Sequence, residues 1–303
     1  MAGIQRRRGP AVVGAWGVLQ PFADGLKLVL KEIILPSKSN YILFIVSPGL
    51  VLFLSFVSWC AYPFGLHSIL VNIEYSLLFF LTVSSLSVYG ILLAGWSSNS
   101  KYALLGGIRS IAQMIAYEIT ISLIILPVIA FSGSCSVIVI VLEQNTVWYI
   151  CPFFPIGIIF FIAILAETNR TPFDLAEAEA ELVAGYNIEY SGMVFASFFL
   201  AEYANILLMS GLFVLLFLGG WSFGTYFSAI TISLKIVFIA FLFIFVRSNV
   251  PRYRFDQLMT IGWKVFLPLT FGAVLFYCGF LLTFNLSPIH ESSIYCILEI
   301  PMF

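Results

Sequence analysis

Charge is what this 303-residue chain has least of: 10% of its residues are charged and 61% are apolar, with a mean hydropathy of +1.05. An ordinary soluble domain is about 25% charged and roughly 45–50% apolar, so a water-soluble fold is excluded. The net charge of −1 gives no support for a nucleic-acid partner or an acidic tail. Cysteine is scarce and scattered. Cys60, Cys135, Cys151, Cys278 and Cys296 form no CxxC pair, so neither zinc nor an iron–sulfur cluster has local ligands, and any redox centre must belong to partners. No metal site is expected. The opening residues through Arg8 carry charge with no apolar stretch behind them, which is not the pattern of a cleavable signal peptide. Insertion is expected to rely on internal spans. Repeats, low-complexity tracts and linkers are also lacking, so residues 1–303 are expected to form a single membrane domain.

What the chain has in excess is long apolar runs. A span needs about 20 apolar residues to cross a hydrocarbon core of roughly 30 Å, and runs near 41–62, 75–95, 104–131, 148–166, 192–217, 227–246 and 265–285 qualify. Placing the polar loops 96–103, 167–190 and 247–264 on the same side as residues 1–40 puts 13 of the 14 basic residues there. The opposite loops hold none, and Lys235 lies inside a span, a segregation that matches the positive-inside rule. The fold class read from this pattern is an all-α integral membrane protein with about seven transmembrane helices over 41–285. A surface segment, 1–40, precedes the bundle and a peripheral tail, 286–303, follows it. Within the surface segment Leu19, Phe22, Ala23, Leu26 and Leu30 recur at helical spacing, with Asp24, Lys27 and Lys31 on their own stripe behind Pro21. That predicts an amphipathic helix on the membrane surface, in contact with lipid.

Carboxylates embedded among apolar residues cost several kcal/mol unless neutral, paired or wetted, so each is a functional candidate. Glu118 and Glu202 lie in the middle of predicted spans, with Lys235 in a third. A lone buried acid can simply be hydrogen-bonded between helices; two acids and a lysine favour a proton path, since groups so placed can exchange protons near neutral pH. The loop 166–190 holds six acids, Glu167, Asp174, Glu177, Glu179, Glu181 and Glu189, and one arginine, Arg170. Thr171, Pro172 and Asp174 spell a helix start, and the spacing predicts a short acidic helix from there to Gly185. On it Asp174, Glu177 and Glu181 share a face and Glu179 points roughly opposite, so the crowded carboxylates titrate as a group. A solvated acidic loop is the plain alternative. The loop 246–259 supplies the complement, with Arg247, Arg252 and Arg254 near Asp256, and arginine forks suit carboxylate partners.

Several long segments then match one family. Gln5-Arg-Arg-Arg-Gly-Pro10, Leu19-Gln-Pro-Phe-Ala-Asp-Gly-Leu-Lys27, Gly95-Trp-Ser-Ser-Asn-Ser-Lys-Tyr-Ala103, Ala112-Gln113 with Tyr117-Glu118, Ala166 to Asp174, Glu177 to Tyr186 and Pro251 to Met259 resemble subunit 1 of the proton-pumping NADH:ubiquinone oxidoreductase, respiratory complex I. The likeness runs from about residue 4 to 285. It implies that the basic-side loops, with two soluble subunits, enclose a chamber for ubiquinone. By motif, Arg7, Asp24, Arg170, Phe173, Arg252 and Arg254 would line or brace that chamber. Glu167, Asp174, Glu177, Glu181, Glu118 and Glu202 would form an acidic path toward proton-pumping modules, supported by Glu179, Glu189, Lys235, Arg247 and Asp256. Iron–sulfur clusters and FMN would sit only in partner subunits, and small membrane subunits would lie alongside. No residue of this chain would itself be redox-active. The implied location is the mitochondrial inner membrane with the basic loops in the matrix, a bacterial plasma membrane being the alternative. The family usually has a spanning helix ahead of the Gln5–Pro10 segment, so seven spans are expected where the family has eight, with the first helix supplied by a separate polypeptide or replaced by another subunit. Competing readings are the membrane anchor of a proton-pumping hydrogenase and a proton or cation transporter without redox coupling. The latter usually shows inverted repeats and broken helices, which are not evident here.

Overall fold

The structure is a computed structural model that describes residues 2–65, 68–145, 147–174, 185–222 and 228–284. Among them all regular elements are helical: α1 Gln20–Leu30, α2 Tyr41–Cys60, α3 Ser76–Ser97, α4 Lys101–Ser132, α5 Val137–Glu143, α6 Phe154–Glu167, α7 Gly192–Phe217, α8 Ser228–Asn249, α9 Phe255–Thr260 and α10 Leu267–Thr283, with short 3-10 turns at Ala15–Gly17 and Gly185–Asn187. A π-helical stretch, Ile261–Phe266, fuses α9 and α10 into one rod, Phe255–Thr283.

Six helices are long and apolar enough to cross a membrane: α2, α3, α4, α7, α8 and the fused rod. The seventh predicted run, 148–166, behaves differently. Its helix, α6, has 14 residues, about 21 Å at 1.5 Å per residue, short of a roughly 30 Å hydrocarbon core. Non-helical backbone is tolerated at that depth only where protein satisfies it. Here Ile150 N donates to Phe217 O at 3.0 Å, and the fully buried Gln144 accepts from Gly219 N at 2.9 Å and donates to Leu215 O at 2.9 Å.

The 32-residue α4 is the hub, packing on α3, α6 and α10. Ser100 caps its start by accepting from Ala103 N at 3.3 Å, and Gly133, in the left-handed region at φ 68°, ends it. At Gly106 a Cβ would lie 2.8 Å from Gly185 Cα, so this crossing of α4 and the 185–187 turn requires glycine.

The surface segment forms α1 as predicted, with Pro21 in its first turn and no residue buried. Phe22 and Leu26 are exposed, the apolar face a lipid interface would cover. Ser191 ties this segment to the start of α7, its hydroxyl accepting from Ile34 N at 3.0 Å and donating to Glu32 O at 3.3 Å.

Two expectations need correction. The loop predicted over 247–264 is largely helix, because α8 runs to Asn249 and α9 begins at Phe255. The helix start predicted at Thr171 is instead a turn over 171–174, and among the described residues the Thr171 hydroxyl has no hydrogen-bond partner. Long-range bonds hold this stretch instead: Pro172 O accepts from Tyr253 N at 3.1 Å and Phe173 O from the Gln113 side chain at 2.8 Å. The remainder of the predicted acidic helix, with Glu177, Glu179 and Glu181, and the tail 286–303 lie outside the described residues.

Candidate functional site

α6 ends at Glu167, and the chain then runs through the buried residues Thr168, Arg170, Thr171, Phe173 and Asp174 rather than out toward solvent. Gln113 fixes this strap to α4. Its amide is fully buried and donates to Ala166 O at 2.7 Å and to Phe173 O at 2.8 Å, on either side of Glu167–Pro172. From the other flank Tyr253 stacks on Phe173, ring centroids 5.6 Å apart, and the Tyr117 ring lies 6.0 Å from Phe173. Tyr117 Oη donates to Leu258 O at 3.2 Å, just ahead of the π-helical stretch, where a Cβ placed on Gly262 would lie 3.6 Å from the Tyr117 ring.

Held this way, Glu167 is 5% exposed, and among the described residues its Oε2 finds no hydrogen-bond partner. Its side chain faces two small cavities. The first, about 20 Å³ for a water-sized sphere, is lined by Ser55, Ser58, Ser84, Ser87 and Asn205 as well as Glu167. The second, about 10 Å³ on the same measure, is lined by Glu118, Glu167, Ser84 and apolar side chains of α3, α4, α6 and α7. Space of this order admits about one water each. Glu167, Ser84 and Met209 border both, so the two carboxylates Glu118 and Glu167 share one chamber and Ser84 stands at its junction. Ser55, Ser58, Ser84 and Ser87 each donate their proton to a carbonyl of their own helix, at 2.7–3.0 Å. Their oxygens are thus left as acceptors for a water or a protonated carboxyl.

Two ion pairs flank the strap. Arg170 meets Glu202 at 3.3 Å, with side chains 8% and 15% exposed; Tyr186 Oη donates to the other Glu202 oxygen at 3.0 Å, and the guanidinium lies 4.6 Å over the Tyr203 ring. Arg252 meets Asp174 at 3.3 Å, with the arginine 42% and the aspartate 5% exposed. The basic loop and the acidic loop therefore pair here as their complementary charge predicts. Further along, Tyr190 contacts the Ser47 and Ser97 hydroxyls at 3.1 and 3.3 Å and stacks on Phe44 at 4.1 Å. Burial pushes its hydroxyl up, the two serine contacts acting in the opposite sense.

The other predicted residues lie apart from this chamber. Arg7, Asp24, Arg254 and Asp256 are exposed, Arg7 donating to Gln5 at 3.0 Å and Asp24 accepting from Gln20 at 3.2 Å. Gln5 also reaches Ser248 O at 3.4 Å, which brings the N-terminal segment to the end of α8 next to the half-buried Arg247. Glu189 is half-buried. Lys235 donates to Leu218 O at 2.7 Å and Gly220 O at 2.8 Å and sits 4.9 Å over the Trp148 ring. That is the far end of α7 from Glu202, 16 residues or about 24 Å along the axis. Among the described residues no group of His, Cys, Asp and Glu could hold a metal, and Cys60, Cys135, Cys151 and Cys278 are free thiols.

Sequence reasoning missed Ser84, Asn205 and Tyr203, and gave no role to Gln113 and Tyr186, which appear only within the motif segments. A signal was available for some of them: serines three apart in apolar helices, Ser55 with Ser58 and Ser84 with Ser87, and a lone amide within a span.

Comparison with known proteins gives consistent matches over nearly the whole chain. A family model described as NADH dehydrogenase matches residues 1–278. The NADH-ubiquinone oxidoreductase chain 1 of Chondrus crispus is 54% identical over 295 residues, covering 95% of this chain and 90% of that protein. The protein of the same name from Arabidopsis thaliana is 54% identical over 295 residues, covering 95% and 91%. An NADH-quinone oxidoreductase subunit of Pelagibacter ubique (strain HTCC1062) is 50% identical over 294 residues, covering 95% and 89%.

Proposed function

The chain belongs to the NADH dehydrogenase family, and from that premise we propose that it is the core membrane subunit of an NADH:ubiquinone oxidoreductase that binds the quinone and couples its reduction to proton translocation. The observation that carries the assignment is identity of 50–54% across some 95% of the chain with relatives named as a chain or subunit of such an enzyme. In this reading the basic side of the bundle, including Arg7, Asp24, Phe173, Arg252 and Arg254, faces two soluble subunits and shares the quinone chamber with them. FMN and the iron–sulfur clusters reside in partner subunits, which supply the electrons. The chain sits in the mitochondrial inner membrane with its basic loops in the matrix.

Reducing the quinone to quinol consumes two electrons and two protons. Charge that arrives before its protons perturbs nearby carboxylates, and Glu167 is the group positioned to respond. It has an oxygen unpartnered among the described residues, stands on a strap braced by Gln113, and opens onto the chamber it shares with Glu118. A proton on Glu167 can pass through one water held by the serine oxygens to Glu118, deeper in α4. Asp174, and beyond it Glu177 and Glu181, connect this step to the basic surface. The test is inhibitor-sensitive NADH:quinone reductase activity of the purified native assembly containing this chain. Rotenone-type inhibition with quinone-dependent turnover is expected, and an assembly that binds no quinone or carries a nickel–iron centre would instead indicate the hydrogenase anchor.

A further inference from the structure

The acids named by motif are not equivalent in the fold. Glu118 and Glu167 open onto the two small cavities; Glu202 lines neither of them. One of its oxygens lies 3.3 Å from Arg170 Nη2, an ion pair by distance without hydrogen-bond geometry, and the other accepts from Tyr186 Oη at 3.0 Å. Arg170 is a permanent cation with a planar fork. With its side chain 8% exposed it needs a counter-charge at hand, because removing one partner of a buried pair leaves the other uncompensated. Among the described residues, Glu202 is the carboxylate within ion-pair distance of it.

Arg170 also belongs to the strap, three residues beyond Glu167. Its backbone N–H donates to Leu165 O at 3.3 Å and its carbonyl accepts from Phe173 N at 2.8 Å. The strap thus has two staples: Gln113, which fastens it to α4, and Arg170, which fastens it to α7 through Glu202 and over the Tyr203 ring. Tyr186 extends the second staple to the turn at Gly185–Asn187, so one carboxylate joins both described ends of the acidic loop.

We infer that Glu202 is not a proton carrier but a positioning residue, the fixed counter-anion that anchors Arg170 and so holds Glu167 in its chamber. This rests on the coupling role proposed for Glu167, and the two fail in different ways. The test is a charge-neutral cycle in the assembled enzyme: Glu202→Gln, Arg170→Gln and the double variant, with Glu167→Gln in parallel. Each is read as quinone reductase rate and protons pumped per NADH, normalised to assembled complex.

Either single change strands one buried charge, and turnover is expected to fall by roughly ten-fold, the coupling typical of contacting groups. In the double variant no charge is stranded, Gln can still accept from Tyr186, and most of the lost rate returns with the proton-to-NADH ratio of the wild type. A double variant as slow as Glu202→Gln, or one that turns over without pumping, overturns the inference and restores Glu202 to the proton path. If the single variants do not assemble, assembly becomes the readout: recovery in the double supports the pair, and no recovery overturns it. Full turnover and pumping in Glu167→Gln would sink the coupling role itself, whatever the cycle shows.

Discussion

Replacing Gln113 with Met probes how firmly the strap is held. Methionine matches glutamine closely in length and volume, so the packing change is small, but its thioether donates nothing. Two buried carbonyls, Ala166 O and Phe173 O, then lose donors that sit at 2.7 and 2.8 Å. An orphaned buried acceptor costs about 1–3 kcal/mol. Ala166 O keeps the Asn169 N–H at 3.2 Å, and the change also removes Gln113 Oε1, which is buried without a partner among the described residues. The loss therefore comes mainly from Phe173 O and amounts to about 1–3 kcal/mol of local stability. The strap is expected to loosen and Glu167 to leave its place between the cavities. Purified complex carrying Gln113→Met should melt several degrees below the wild type in a thermal-shift assay, and quinone reductase turnover per assembled complex should drop by roughly ten-fold. An unchanged melting temperature together with unchanged turnover would refute the claim that this amide holds the strap.

Ser84 stands at the junction of the cavities, so Ser84→Val should fill it and slow proton-coupled turnover by roughly ten-fold, while Ser84→Ala keeps the space and costs much less; both are read as turnover at equal assembly. Gly106→Ala places a Cβ 2.8 Å from Gly185 Cα and should cost about 1–3 kcal/mol, seen as a lower melting temperature. Lys235→Met leaves the Leu218 and Gly220 carbonyls without its donors, which should destabilise the far end of α7 by about 2 kcal/mol and lower the yield of intact complex.

Most of the architecture was legible because a membrane span is a composition problem. Runs of apolar residues marked the six helices that are long and apolar enough to cross a membrane. The failures share a physical cause, long-range bonds that no local window contains. The run 148–166 does form an apolar helix, but one that begins only at Phe154, because Phe217 and Gln144 satisfy the run's first backbone groups and allow a turn there. The start at Thr171 had the right capping residues, yet residues 171–174 form a turn whose carbonyls Pro172 O and Phe173 O accept from Tyr253 N and the Gln113 side chain. At the site, Glu118 and Glu202 were identifiable as acids inside apolar spans, and Glu167 as one acid of the loop that follows α6. That Glu118 and Glu167 share a chamber while Glu202 is engaged by Arg170 depends on how α4, α6 and α7 meet, which spacing along the chain does not encode.

The central claim is that Glu167 and Glu118 pass protons through their common cavity during quinone reduction. The most direct measurement is protons pumped per NADH by assembled complex in sealed vesicles, comparing the wild type with Glu118→Gln and Glu167→Gln. Each variant is expected to assemble and to lose most of its pumping or its turnover. Full turnover with a wild-type proton ratio in both variants would contradict the claim and leave the chamber a purely structural feature of the bundle.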